Sequence, residues 1–129
     1  METLVSLSEK RLIVEGRLNG KKACFLVDTG ASVGLIDRRI RKEYGLAEGR
    51  KYPGRLVGAG GELSGVRYCD TFVELGSKKI SQFLLADISQ VAESVYDETG
   101  VEILGILSLP QMKFAGIRID ANDNLIMIE

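Results

Sequence analysis

The spacing of hydrophobic and polar residues predicts a chain built mostly of short strands. Residues 12–18 alternate between the two kinds of position and lead into Asn19-Gly20, a strong signal for a two-residue hairpin turn. Residues 23–27 are apolar at every position, which predicts a second strand that is buried on both faces and runs into Asp28. A carboxylate therefore follows directly after a buried strand.

Helical spacing occurs at three places. Residues 37–44 repeat apolar side chains every four positions, with Asp37 suited to cap a short helix and Gly45 to end it. Residues 88–96 place apolar side chains on one helical face, although a long loop with one turn of helix fits them as well. Residues 110–113 begin with proline and predict the start of another short helix.

The remaining apolar stretches predict further strands. The sequence indicates a hairpin over residues 56–68 with a glycine-rich tip, a strand pair at 71–75 and 80–86, an apolar strand at 103–107, and a closing hairpin at 117–120 and 125–128. The pattern as a whole predicts a mainly β fold.

The composition of the chain narrows the range of functions it could have. The chain has 129 residues, 45% of them hydrophobic, which is enough for one core, and a formal net charge of −1. This charge argues against electrostatic capture of nucleic acid or of an anionic membrane. The basic run at residues 38–42 contains no aromatic residue and is predicted to be a solvated face. We therefore expect neither nucleic acid nor membrane as a partner.

The chain contains no histidine, so catalysis by Ser-His-Asp or Cys-His groups and most catalytic zinc sites are excluded. Its cysteines, Cys24 and Cys69, lack the spacing of a metal or redox motif. The glycines at 58–61 lack the spacing of a nucleotide-binding loop. We expect no metal and no cofactor, and the acidic start of the chain, unlike a signal peptide, predicts a cytoplasmic protein.

The strongest chemical signal is Asp28-Thr29-Gly30. An aspartate in this position can simply start a turn and accept hydrogen bonds from the following backbone amides. However, residues 25–32, with the sequence Phe-Leu-Val-Asp-Thr-Gly-Ala-Ser, resemble the signature of retropepsin-like aspartic proteases. The resemblance extends to the glycine-rich hairpin, where the family has its flap, and to Ile103-Leu104-Gly105, where it has two hydrophobic residues and a glycine before a C-terminal helix.

This resemblance implies a single retropepsin-like domain over residues 1–129, folded as a single-lobe acid-protease-type barrel with one or two short helices. It implies that Asp28 is the catalytic carboxylate, supported by Thr29, Gly30 and Ala31. The flap, which would contact substrate, is assigned to Val57, Gly58, Ala59, Gly60 and Gly61.

Only one Asp-Thr-Gly is present, whereas the reaction of these proteases requires two carboxylates that share one proton. The resemblance therefore implies a homodimer in which Asp28 meets its counterpart at a two-fold axis, with the strands at residues 4–7 and 125–128 pairing across that axis. The expected function is an aspartic endopeptidase that acts on peptide or protein substrates. The alternative is a catalytically inactive peptide-binding or dimerisation module of the same fold.

Overall fold

The computed structural model describes residues 1–58 and 61–129, and it is mainly β, as predicted. Its strands are β1 (Glu2–Val5), β2 (Ile13–Leu18), β3 (Lys21–Asp28), β4 (Gly34–Asp37), β5 (Leu56–Gly58), β6 (Gly61–Leu63), β7 (Arg67–Cys69), β8 (Val73–Leu75), β9 (Lys78–Ile80), β10 (Phe83–Ala86), β11 (Gly105–Ser108), β12 (Ile117–Asp120) and β13 (Leu125–Ile128). The helices are a 3₁₀ turn (Arg38–Ile40), α1 (Ser89–Thr99) and α2 (Leu109–Ala115).

Eight of these strands form one sheet in the order β7-β10-β4-β11-β3-β2-β8-β9. The predicted hairpin joins β2 to β3, and Asn19 and Gly20 both have positive φ (51° and 83°), as a turn of this tightness requires. β3 is longer than predicted, but it ends at Asp28 as expected.

The centre of the large sheet is β11, which lies between β3 and β4. It runs parallel to β3, with Ser108 opposite Asp28, and antiparallel to β4. At Gly105 a side chain would contact the Phe25 ring, and its Cβ would lie 2.7 Å from the backbone oxygen of Leu35. The glycine therefore allows three strands to pack at the point where Asp28 is presented.

The chain ends form a separate sheet in the order β1-β13-β12. The predicted closing hairpin is confirmed as β12 and β13. β1 pairs with β13 of the same chain, from Glu2 opposite Ile128 to Val5 opposite Leu125. The two end strands thus pair with each other within one chain, and the edges of this sheet are β1 and β12.

Two predictions about local structure are wrong. The helix predicted over residues 37–44 is only the 3₁₀ turn, although Asp37 does cap it by accepting a hydrogen bond from the Arg39 amide (3.0 Å). The strand pair predicted at 71–75 and 80–86 does not form, because β8 pairs with β9 instead. β10 pairs with β4 and β7, which come from distant parts of the chain.

The two α-helices occupy the predicted regions. α1 extends beyond the predicted residues 88–96 and ends at Gly100, whose φ of 74° suits a left-handed C-cap. α2 begins after Ser108, which forms a capping box with Gln111. No helix in the described ranges has the length and hydropathy needed to cross a bilayer.

Candidate active site

Asp28 is half-buried at the carboxyl end of β3. Its Oδ1 accepts a hydrogen bond from the Gly30 amide (2.9 Å), and its backbone oxygen accepts one from the Ala31 amide (3.1 Å). No residue in the described part of the chain donates a hydrogen bond to Oδ2. The turn therefore fixes the orientation of the carboxylate through one oxygen.

The predicted supporting residues lie in this turn. A Cβ at Gly30 would lie 3.3 Å from the Asp28 Oδ1, so glycine permits the close approach of its backbone. The Ala31 backbone oxygen accepts a hydrogen bond from the Leu109 amide at the start of α2 (3.2 Å), which ties the turn to the helix. The side chain of Thr29 is exposed.

Gln111 supports the site from beneath, and sequence reasoning missed it. Its Oε1 accepts hydrogen bonds from the amide (2.9 Å) and the hydroxyl (3.0 Å) of Ser108, the residue opposite Asp28. Its Nε2 donates to the backbone oxygens of Ser81 (2.8 Å) and Gln82 (3.2 Å). A Cβ at Gly34 would contact this buried amide, so the glycine makes room for it.

A cleft of about 780 Å³ opens beside Asp28. Its floor is apolar and consists of Leu26, Leu35 and Ile106, all buried, from the three central strands. One side is formed by the β5–β6 hairpin and another by α1. The carboxylate therefore faces a space large enough for an extended peptide segment.

The β5–β6 hairpin contains the residues predicted as the flap. Val57 and Gly61 line the cleft, Gly58 pairs with Gly61, and Val57 is 75% exposed. Ala59 and Gly60 lie outside the described residues. An exposed ion pair joins Arg55 to Glu62 across the hairpin (3.1 and 3.0 Å).

α1 forms a wall of the cleft that the sequence analysis did not place there. Gln90, Val91 and Ser94 line the cleft, and so does Val95, which is buried like Ala92. The apolar spacing at residues 88–96 signalled the helix itself. The helix lies in the long connection between β10 and β11, and the local sequence pattern does not show where such a connection packs.

Arg11, just before β2, is a second feature of the cleft that the sequence analysis missed. It forms a two-point ion pair with Glu98 on α1. This pairing holds the pKa of Arg11 above and that of Glu98 below their usual values. The charge of Asp28 also contributes to raising the pKa of Arg11.

Other chemistry has little support among the described residues. Within residues 1–58 and 61–129, no group of three or more side chains could hold a metal ion. Burial raises the pKa of both thiols, Cys24 and Cys69, as expected for cysteines that fill the core rather than react. Among the carboxylates that line the cleft, Asp28 is the one in the Asp-Thr-Gly turn.

Comparison with known proteins agrees with this geometry. Residues 14–110, about three quarters of the chain, match a family model described as aspartyl protease. No protein with curated annotation matches the sequence significantly.

Several solved structures share the fold, including the following three. EIAV protease in complex with the inhibitor HBY-793 is 22% identical, with a TM-score of 0.62, and the match covers 87% of this chain and 94% of that one. The retroviral protease-like domain of Ddi1 from Leishmania major is also 22% identical, with a TM-score of 0.62 and coverage of 92% and 88%. A retropepsin-like aspartic protease from Rickettsia conorii is 18% identical, with a TM-score of 0.57 and coverage of 98% and 88%.

Proposed function

Because this chain belongs to the aspartyl protease family and has the retropepsin-like single-lobe fold, we propose that it is an aspartic endopeptidase that works as a homodimer. The observation that carries the proposal is the Asp28 carboxylate, which is held through Oδ1 by the Gly30 amide and faces the cleft. A turn-forming aspartate would need only the first of these two features. The opening of the cleft above it favours catalysis.

In this proposal, Asp28 of one subunit and Asp28 of the other meet at the two-fold axis and share one proton. The ionised carboxylate removes a proton from water, and the neutral one donates a proton to the carbonyl oxygen of the scissile peptide bond. The attacking oxygen then bonds to the carbonyl carbon, and the second C–O bond of the carbonyl opens onto the protonated oxygen. Collapse of this tetrahedral intermediate breaks the C–N bond: the carboxylate takes a proton from a hydroxyl of the intermediate, and the protonated carboxyl gives one to the departing amine nitrogen. Two identical carboxyl groups can take opposite roles because repulsion between two adjacent negative charges makes them ionise in separate steps.

The exposed side chain of Thr29 supports the dimeric arrangement. It lies beside Asp28 at the surface of the turn. In the dimer we assign it a hydrogen bond to the matching turn of the partner, so that the two carboxylates are fixed relative to each other. Gly30 and Ala31 keep the roles that their backbone contacts support.

The β5–β6 hairpin supports the assignment of a flap. Its residues Val57, Gly58 and Gly61, together with Ala59 and Gly60 of the predicted flap, would close over an extended peptide. Closure would exclude water and hold the peptide backbone by strand-like hydrogen bonds. The substrate in this proposal is a peptide or an unfolded protein segment, and the reaction uses neither metal nor cofactor.

The test is hydrolysis of an unfolded protein or a peptide library by the wild type and by Asp28→Asn. We expect the wild type to cleave, with a bell-shaped pH dependence, and Asp28→Asn to lose essentially all activity because the dyad can no longer share a proton. Asp123→Asn makes the same chemical change in the exposed turn between β12 and β13 and should retain activity.

A hydroxyl-containing mimic of the tetrahedral intermediate should inhibit the wild type. Peptide binding without any turnover across mildly acidic to neutral pH would contradict the proposal. That result would support the inactive binding module instead.

A further inference from the structure

The ion pair between Arg11 and Glu98 stands at the side of the cleft. The Arg11 Nε lies 3.0 Å from the Glu98 Oε1, and its Nη2 lies 3.2 Å from the Oε2. Both side chains are partly exposed, at 46% and 36%. The pair joins the segment before β2 to the last turns of α1, and it is reached by solvent from the cleft.

Arg11 is the one cation among the described residues that line this cleft. The other charged residues of its lining are Asp28, Glu62 and Asp87. Glu62 forms an ion pair with Arg55, and the Asp87 carboxylate accepts a hydrogen bond from the Ser89 amide (2.9 Å). Arg11 is therefore the one point in this lining where a negatively charged group of a ligand would meet a positive charge.

The guanidinium has hydrogen-bonding capacity left. Glu98 occupies Nε and Nη2, and no residue of the described chain accepts a hydrogen bond from Nη1. The planar guanidinium group carries five N–H donors and binds carboxylates through two parallel hydrogen bonds, so it can serve two acceptors at different edges. Glu98 also holds the side chain in one orientation, which lowers the entropy lost when a second group binds.

On the basis of the proposed function, we infer that Arg11 is a specificity-determining residue that binds an acidic side chain of the substrate. An extended peptide in the cleft presents alternate side chains to opposite faces. One set faces the apolar floor, and a carboxylate of the other set reaches the free edge of Arg11. Glu98 holds Arg11 in place and, through its negative charge, limits the strength of this selection.

This inference predicts opposite effects of two substitutions in one ion pair. Arg11→Met removes the cation and should abolish the preference for acidic residues. Glu98→Gln keeps a hydrogen-bond acceptor for Arg11 but removes the competing charge, so the preference should increase. The double variant Arg11→Glu with Glu98→Arg keeps the ion pair but places a carboxylate in the cleft, and the preference should change to basic residues.

The experiment measures kcat/KM for peptides that differ only by Glu, Gln or Lys at each position around the cleaved bond. For the wild type we expect about a twofold to fivefold preference for Glu over Lys, the range for a partly exposed ion pair, at one position on each side of the cleaved bond, because the proposed dimer contains two copies of Arg11. Each preference is a ratio of two kcat/KM values from the same protein sample. Partial unfolding of a variant lowers both values by the same factor and leaves the ratio unchanged. Lys42→Glu with Glu43→Lys exchanges two exposed charges outside the cleft and should leave the profile unchanged.

If Arg11 serves only to hold α1 in place, each of the three variants changes kcat/KM by the same factor for every peptide. Cleavage with a profile that stays the same in Arg11→Met and in the double variant overturns this inference and leaves the proposed function standing. Absence of cleavage of every peptide by the wild type overturns the proposed function, and this inference with it.

Discussion

At the scale of single residues, Gln111 connects the site to the rest of the fold. Its buried side chain amide joins Ser108, opposite Asp28, to the backbone of Ser81 and Gln82. Gln82 has a φ of 72°, which is uncommon for a residue other than glycine, so the loop at 81–82 is held in a conformation that it would not adopt freely. The amide thereby stabilises both the loop and the start of α2.

We predict that Gln111→Leu lowers the free energy of unfolding by about 2–4 kcal/mol. The leucine has a similar volume but leaves the buried amide and hydroxyl of Ser108 without their acceptor, which costs about 1–3 kcal/mol, and it also removes the two hydrogen bonds to the partly buried backbone oxygens of residues 81 and 82. Urea unfolding monitored by circular dichroism measures the change. Gln90→Leu, at an exposed position on α1, should change stability by less than about 0.5 kcal/mol.

The sequence indicates Asp28 and the supports within its own turn, but not the residues that reach the site from elsewhere in the chain. The string at residues 25–32 combines a buried strand, a carboxylate and a glycine that allows close approach, all within one local pattern. Gln111 and Arg11 contact partners that are far away in the chain, with Arg11 87 residues from Glu98. No periodicity of the sequence reports such contacts, and only the folded chain shows them.

At the scale of elements, α1 is fastened near both of its ends by carboxylates. Hydrogen bonding with Ser89 holds the pKa of Asp87 below its usual value at the start of the helix. The Arg11 guanidinium does the same for Glu98 near the end of the helix. A carboxyl group whose pKa is lowered by folding stabilises the fold above its unfolded pKa, and this contribution is lost as the pH falls through the folded pKa.

We therefore predict that acid destabilises the wild type more than the double variant Asp87→Asn with Glu98→Gln. The contribution is complete above about pH 5 and is lost below the ordinary carboxyl range near 4, where both groups become protonated in the native state. Urea unfolding at pH 6 and at pH 3 gives the loss for each protein. The two groups are exposed, so solvent screening keeps the difference small.

Glu93→Gln with Asp97→Asn provides the matched control on the same helix. Neither side chain forms a hydrogen bond or an ion pair with a described residue, so this variant should retain the pH dependence of the wild type. Equal acid sensitivity of all three proteins would show that the contacts of Asp87 and Glu98 do not stabilise α1.

Local strand pairing was predictable where long alternating stretches flank a turn, but not in the short β8–β9 hairpin. The β2–β3 and β12–β13 hairpins have alternating residues on both sides of a turn and were predicted correctly. β4 was missed, and β10 was assigned the wrong partner, because these two strands pair with each other in parallel although 45 residues of chain separate Asp37 from Phe83. Parallel pairing of this kind leaves no turn signal to detect.

At the scale of the whole molecule, the proposed dimer would take one catalytic carboxylate, Asp28, from each chain. In the terminal sheet, β1 pairs with β13 of the same chain and is itself an edge strand, and the Asp28 turn presents the exposed Thr29. A homodimer built around that turn would unite two clefts into one that extends to both sides of the scissile bond. Activity should then be a property of pairs of chains, not of single ones.

Mixing the wild type with Asp28→Asn tests this directly. If subunits associate at random, an equal amount of the variant leaves about half of the wild-type chains in fully active dimers, and a tenfold excess leaves about one tenth. The mixtures are refolded together so that subunits exchange, and activity is measured at saturating substrate so that binding by inactive dimers does not matter. Asp123→Asn added in the same excess should cause no such loss, because each of its dimers with the wild type still contains two Asp28 carboxylates. Wild-type activity that is unaffected by excess Asp28→Asn would show that each chain works alone, and a shared dyad at a two-fold axis would then be wrong.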